Sequence, residues 1–254
     1  MISFKSLHRK EEPLLVGNVW NVQSAKVYET LKYKALATSS SAVAVSLGYE
    51  DGEQMSFEEY FYIIKRIKAS VSIPLSVDLE SGYGRTDEII VSNIIKLLEI
   101  GIVGINLEDS CVIDGERQLL DRNLFFEKLS NILSMLKDRR GEIFINVRTD
   151  PFLLGTENAL EETLKRVELF EKINVDGIFV PGMTDEEDIK AIVKATSLPI
   201  NVMCLPDLPD FETLKSAGVK RITSGAFLNR HIYDELEKIS NTITINKSFT
   251  ALFI

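Results

Sequence analysis

The sequence predicts a closed (β/α)8 barrel in a single domain spanning residues 1–254, and three observations carry that expectation. Eight short apolar runs of strand length recur at 13–20, 35–40, 74–80, 102–109, 142–150, 176–182, 198–204 and 219–225. Each is a continuous apolar core ending in polar residues, the pattern of parallel strands covered on both faces. Between the runs lie amphipathic stretches of helical period, and no Pro/Ser-rich linker or composition shift divides the chain.

The helical segments justify themselves locally. In 57–67, aromatic and aliphatic residues recur at three and four positions with charges between them. Ser56 precedes Glu59 at capping-box spacing, and Thr86-Asp87-Glu88 opens the next helix. Gly101, Gly141, Gly177 and Gly218 fall at the returns from helix to strand, where a left-handed cap is often wanted. The competing architecture is an open doubly wound sheet. It is disfavoured because the first strand-to-helix junction, Gly17-Asn18-Val19-Trp20-Asn21, carries no GxGxxG and no Walker-type loop occurs.

Composition removes several function classes. The chain carries 38 acidic against 29 basic residues, a formal net charge of −9, so its field opposes nucleic acid and anionic membrane surfaces as partners. No signal-length or membrane-spanning apolar run is present, which gives a cytoplasmic expectation. Cys111 and Cys204 form neither a CxxC nor a zinc spacing, and only His8 and His231 are available as imidazoles. Triad chemistry and histidine-ligated metals are therefore short of parts, which leaves acid–base and metal work to carboxylates.

In a barrel the active site lies at the C-terminal strand ends. The third run ends Val77-Asp78-Leu79-Glu80, and by alternation Asp78 and Glu80 share the inward face. The fourth ends Asn106-Leu107-Glu108-Asp109, and the same parity turns Asn106 and Glu108 inward. Three converging acids raise one another's pKa unless a hard cation intervenes, which makes Asp78, Glu80 and Glu108 a candidate Mg2+ site, with Mn2+ as the alternative ion. On the fifth run Arg148 shares the inward face and offers a forked donor to a substrate carboxylate, or a structural partner to Glu108 or Asp150. Ser39, Ser40 and Ser41 end the second run, where backbone N–H groups approach an anion closely.

At these residues the chain resembles the isocitrate lyase and phosphoenolpyruvate mutase superfamily. The likeness runs through Gly17-Asn18-Val19-Trp20-Asn21, Ser39 to Gly52, Asp78 to Gly84, Gly104-Ile105-Asn106-Leu107-Glu108-Asp109-Ser110, Asn146-Val147-Arg148-Thr149-Asp150 and Asp176 to Gly182. The resemblance implies that Asp78 ligates Mg2+ directly, while Asp51, Glu80 and Glu108 hold the ion through water. It implies that Ser39, Ser40, Ser41 and Arg148 bind the substrate carboxylate, so that Asp51, Glu108 and Arg148 are the candidate catalytic groups. The implied strategy is stabilisation of an enolate as a neighbouring C–C or C–P bond breaks. The resemblance also implies a homodimer or homotetramer with an exchanged final helix, and Phe249, Leu252, Phe253 and Ile254 form an apolar end suited to burial there.

The departures narrow the reaction. The Lys-Arg-Cys-Gly-His loop of the lyases and the asparagine loop of the mutases are both missing; the corresponding stretch is Ser110-Cys111-Val112-Ile113-Asp114-Gly115. Cys111 falls too soon after Glu108 to match the lyase cysteine, and Pro181 stands where relatives place a polar group. The general acid is thereby left unassigned, with Tyr49 and Tyr83 near the mouth as candidate replacements. The leading expectation is a Mg2+-dependent lyase cleaving, or decarboxylating, a small 2-oxo or 2-hydroxy acid. The alternatives are a phosphonomutase-like isomerase or C–P hydrolase, and a carboxylate-binding barrel without turnover. A Schiff-base aldolase lacks an inward lysine at any of the eight strand ends.

Overall fold

A computed structural model describes residues 3–253. Eight strand positions form one parallel sheet. They are β1, in two pieces Leu14–Leu15 and Gly17–Val19, then β2 (Leu36–Thr38), β3 (Leu75–Asp78), β4 (Gly104–Glu108), β5 (Phe144–Arg148), β6 (Gly177–Phe179), β7 (Ile200–Met203) and β8 (Arg221–Thr223). The first piece of β1 pairs with β8, Leu14 beside Arg221, and the second with β2, Gly17 beside Leu36. One strand thus joins both ends of the sheet and closes the barrel, removing its edges.

Helices follow the strands in turn: α1 (Val22–Thr30), α2 (Phe57–Lys68), α3 (Asp87–Glu99), α4 (Arg122–Leu136), α5 (Ala159–Glu171), α6 (Glu186–Ala195), α7 (Phe211–Ser216) and α8 (Phe227–Asn246). Their starts obey the sequence signals. Ser56 and Glu59 make the expected capping box on α2, and Thr86 caps α3. Alternation along β4 sends Ile105 and Leu107 into the packed layer under the helices while Asn106 and Glu108 face the other way.

Two of the glycine expectations need correction. Gly101 and Gly218 adopt positive φ at helix ends, but Gly141 and Gly177 do not. Gly177 lies within β6, where an added Cβ would come within 2.9 Å of Asn146 Oδ1 and 3.0 Å of the Phe144 ring. Close approach inside the barrel, not a turn, requires that residue.

The barrel floor is sealed by the helical turn Phe4–Leu7, whose Phe4 and Leu7 pack with Leu14, Val16, Ala37 and Phe144. His8 follows, stacked on Phe144 with ring centroids 4.1 Å apart. At the other end of the chain α8 is unlike its siblings. Asn229 is its one fully buried residue among twenty, while Leu228, Ile232, Tyr233 and Leu236 stay exposed. Phe249, Leu252 and Phe253 are exposed as well, and Ile254 lies outside the described residues. Among the described residues no helix is long and apolar enough to cross a membrane.

Candidate active site

The C-terminal mouth holds two adjoining cavities. The first, of 220 Å3, is lined by Asn18, Ser39, Ser40, Ser41, Asp51, Asp78, Asn106 and Arg148 on one side. The second, of 310 Å3, takes Glu80, Glu108, Cys111 and Arg117. The sequence-predicted residues therefore gather at one end of the barrel but divide between two chambers.

Asp78 is the last residue of β3 and the most constrained. Its Oδ2 accepts from Ser40 Oγ at 2.7 Å, and its Oδ1 accepts from Asn106 Nδ2 at 3.2 Å. Asn106 is itself oriented by Asn146, which donates to its Oδ1 at 2.9 Å. The backbone is fixed by α2, since Tyr60 Oη donates to the Asp78 carbonyl at 3.0 Å while Thr38 Oγ1 accepts from the Asp78 amide. A side chain held at both oxygens presents one orientation to the cavity, the preorganisation that a binding carboxylate needs.

The second strand ends earlier than the serine run. Ser39 is the N-cap of a short helix, Ser40–Leu47, and its Oγ accepts from the Ala42 amide. Ser39, Ser40 and Ser41 line the first cavity, and the first amides of a helix have no intrahelical acceptor, a favourable setting for an anion.

Glu80 departs from simple alternation. β3 stops at Asp78, and Glu80 sits at φ +50°, so the strand parity that paired it with Asp78 no longer holds and it turns into the second chamber. Tyr83 Oη donates to its Oε1 at 2.7 Å, while Oε2 is buried without a partner. Burial first, then the charges of Glu108, Asp51 and Asp78, push the Glu80 carboxyl well above its ordinary range. Tyr83 is raised too, by burial and by Glu80, so its hydroxyl stays protonated. Tyr49 donates to Glu59 on the surface instead.

Glu108 is fully enclosed and sits between two guanidinium groups. Arg148 Nη1 lies 2.9 Å from its Oε2, and Arg117 Nη1 bonds its Oε1. Burial pushes the carboxyl up to about 8 against the opposing pull of both arginines. Arg148 is also clamped on Asp150, Nε to Oδ1 at 2.7 Å and Nη2 to Oδ2 at 3.0 Å. Asp150 thus takes two of the five N–H donors of Arg148, and its Nη1 faces Glu108. Arg148 thus pairs with Glu108 and Asp150, as one of its two sequence readings expected, and it also lines the first cavity. Asp109 belongs to the frame, accepting from Thr149 Oγ1 at 2.6 Å and pairing with Arg166 at 2.9 Å, and burial raises it to about 6.

Sequence reasoning missed Arg117. Residues 110–119 are an antiparallel hairpin, Ser110–Ile113 against Glu116–Leu119, joined at Asp114 and Gly115 with both φ angles positive. Asp-Gly between short strands is the signal that would have revealed it. The hairpin folds Arg117 over the mouth, where Nη2 reaches Asp51 Oδ2 at 3.2 Å and Nη1 meets Glu108 and Ser110. Cys111 rides the same hairpin, half-buried, with its thiol raised by burial and therefore a poor nucleophile at neutral pH.

Among the described residues no group of three or more acidic, histidine or cysteine side chains is arranged to hold an ion directly. Yet Glu80 Oε2 is buried and unpartnered, and three further acids, Glu108, Asp51 and Asp78, repel its charged form. That donor chemistry fits a hydrated Mg2+ taken by one or two carboxylates, which keeps several of its waters, better than a cage of direct ligands.

The sequence profile of the phosphoenolpyruvate phosphomutase family matches residues 4–244. The chain belongs to that family. As a family member it is an enzyme, and its relatives span several reactions. It is 28% identical to an uncharacterized protein of Mycobacterium tuberculosis over 89% of this chain and 82% of the relative. To an oxaloacetate decarboxylase of Bradyrhizobium sp. (strain ORS 278) it is 24% identical over 90% of this chain and 81% of that one. Among solved structures, a candidate phosphonomutase from Burkholderia cenocepacia J2315 superposes with a TM-score of 0.86 at 36% identity, covering 94% of this chain and 97% of the other. A phosphonopyruvate hydrolase bound to oxalate and Mg2+ shares the fold at 18% identity, with a TM-score of 0.83 over 96% and 86% of the two chains.

Proposed function

We propose that the protein is a Mg2+-dependent lyase that cleaves or decarboxylates a small 2-oxo or 2-hydroxy carboxylic acid. The observation that carries this reading is Asp78, fixed by Ser40 and Asn106 at the head of a cavity that also holds Arg148 and the serine-capped helix end. In this reading Asp78 would hold the ion, with Asp51, Glu80 and Glu108 acting on it through water, and the ion would supply positive charge to stabilise a developing enolate. The substrate carboxylate is received by the remaining donors of Arg148 and by the amides at Ser40 and Ser41. Glu108 and Asp150 keep the guanidinium flat against the wall, so that binding meets a preorganised fork. Asp51 and Arg117 close the mouth between them. The curated oxaloacetate decarboxylases favour C–C cleavage. The 36% identical candidate phosphonomutase favours C–P chemistry as the second reading, against which stands the absent asparagine loop.

The test is a screen of the Mg2+-loaded protein against oxaloacetate, methylisocitrate and phosphonopyruvate, with Asp78→Ala alongside. Turnover of oxaloacetate or methylisocitrate that the variant loses by at least about a hundredfold is expected. Equal turnover by both proteins sinks the assignment of Asp78, and turnover of phosphonopyruvate alone selects the second reading.

We further propose that the exposed apolar face of α8 is covered by a second copy of the chain in a homodimer or homotetramer. An apolar trough of 540 Å3 lined by Trp20, Val27, Tyr28, Leu31 and Ile232 runs beside it, and unassociated proteins seldom leave such continuous apolar surface in water.

A further inference from the structure

The cavity that holds Asp78 is lined by two arginines in opposite circumstances. Arg148, at the end of β5, is committed: Asp150 takes its Nε and Nη2, and Glu108 its Nη1. Arg230 lines the same 220 Å3 cavity from the first turn of α8. Among the described residues it makes no ion pair and no side-chain hydrogen bond. The first turn of α8 holds no acid, and its N-cap, Ala226, has no side-chain acceptor to offer. What holds the Arg230 side chain is the Phe227 ring, over which the guanidinium lies 5.4 Å from the centroid. Phe227 lines the cavity too, so a cation with its N–H donors uncommitted is kept at the cavity rim. β6 and β7 separate β5 from β8 in the sheet, which sets the two arginines apart around the mouth. The wall between them, from the ends of those two strands, is Phe179, Pro181 and Met203, which carry no charge.

We infer that Arg230 receives a second carboxylate of the substrate, at the far end from the headgroup held near Asp78 and Arg148, and so sets a preference for diacids over monoacids. This rests on the proposed headgroup site and assigns the other end of the same ligand. The carbons joining the two carboxylates would lie along Phe179, Pro181 and Met203, where apolar surface suits them and a charge would find no partner. A guanidinium is the fitting receptor because its planar fork matches a carboxylate and stays charged at any working pH. Oxaloacetate and methylisocitrate both meet this requirement.

The test is calorimetric titration of the Mg2+-loaded protein with oxalate, 2-hydroxybutyrate and malate, with KM taken in place of Kd for any acid that is turned over. Oxalate is too short to span the cavity and reports on the headgroup site alone. The two hydroxy acids share one chain length and differ in a terminal methyl against a terminal carboxylate. Malate is expected to bind about tenfold or more tightly than 2-hydroxybutyrate, the factor of one charge-assisted hydrogen bond. Arg230→Met keeps an unbranched stem against Phe227 and lacks the charge; it should bring malate down to the level of 2-hydroxybutyrate and leave oxalate unchanged. Arg230→Lys should restore part of the preference, with circular dichroism confirming that each variant is folded. Equal binding of the two hydroxy acids by the wild type, or a malate preference that survives in Arg230→Met, overturns the assignment of Arg230 while oxalate binding leaves the headgroup reading standing. Failure of oxalate itself to bind overturns the headgroup reading and this one with it.

Discussion

Arg148 illustrates how little freedom a residue at the strand ends retains. Its fork serves Asp150 and Glu108 at once, which a lysine ammonium cannot reproduce because it offers a point charge and not a plane of donors. Arg148→Lys is expected to raise KM for the substrate found in the screen by roughly 10- to 100-fold, the equivalent of one or two charge-assisted hydrogen bonds. Steady-state kinetics checks this, and an unchanged KM would remove Arg148 from the binding site.

His8 supplies a second prediction at the same scale, far from the mouth. Burial, and then the charge of Arg221, lower its pKa to about 3, while its Nδ1 bonds the Phe4 carbonyl at 3.0 Å. The unfolded chain takes up this proton near pH 6.5, and the folded one only near pH 3. The stability that depends on a neutral His8 is thus present above about 6.5 and drains away as the pH falls toward 3, by at most ~1.4 kcal/mol per unit. His8→Phe keeps the stacking on Phe144 and lacks the titration. In urea melts between pH 7 and 4, the wild type should lose more stability than the variant; parallel losses would mean that His8 titrates normally.

At the scale of elements, the hairpin following β4 lies over the mouth. It ties two loops with one side chain, since Arg117 bonds Asp51 from the β2–α2 connection and Glu108 from the end of β4. Arg117→Gln is expected to accelerate amide hydrogen exchange in residues 50–53 and 110–119 and to leave the barrel strands unchanged. Unaltered exchange in both segments would show that Arg117 is not the tie. The same substitution leaves Glu108 buried beside a single arginine, so its carboxyl should move further upward.

For the molecule as a whole, α8 sets the expected assembly. Its exposed Leu228, Ile232 and Tyr233 border an apolar trough along α1, and one copy of the chain leaves them and Leu236 open to water. Light scattering should give a mass of two or four chains, and Ile232→Asp combined with Leu236→Asp should shift it toward one. A strictly monomeric wild type would refute the arrangement. The net charge of −9 acts at this scale too: the anionic substrate proposed above would approach against the overall field, and the positive groups at the mouth, Arg117, Arg148 and Arg230, would carry its capture.

The sequence by itself determined the barrel, because the strands and helices announce their own periods and several helices their caps: β4 by the apolar run from Ile102 to Asp109, α2 by Ser56 and Glu59. It also marked which end of each strand bears chemistry, since polar residues there interrupt otherwise apolar runs. Tertiary structure alone decided how those residues are shared out. Strand alternation placed Asp78 and Glu80 together, but the chain leaves the sheet at Asp78, and a left-handed residue at Glu80 sends its carboxylate into a different chamber. Arg117 entered the site through a hairpin whose Asp114-Gly115 turn was legible while its direction over the mouth was not. One side of the first cavity assembles Phe179 and Met203 from two strand ends and Phe227 from the start of α8. Local signals are written in neighbours along the chain, whereas a cavity is made by residues that become neighbours only when the barrel closes.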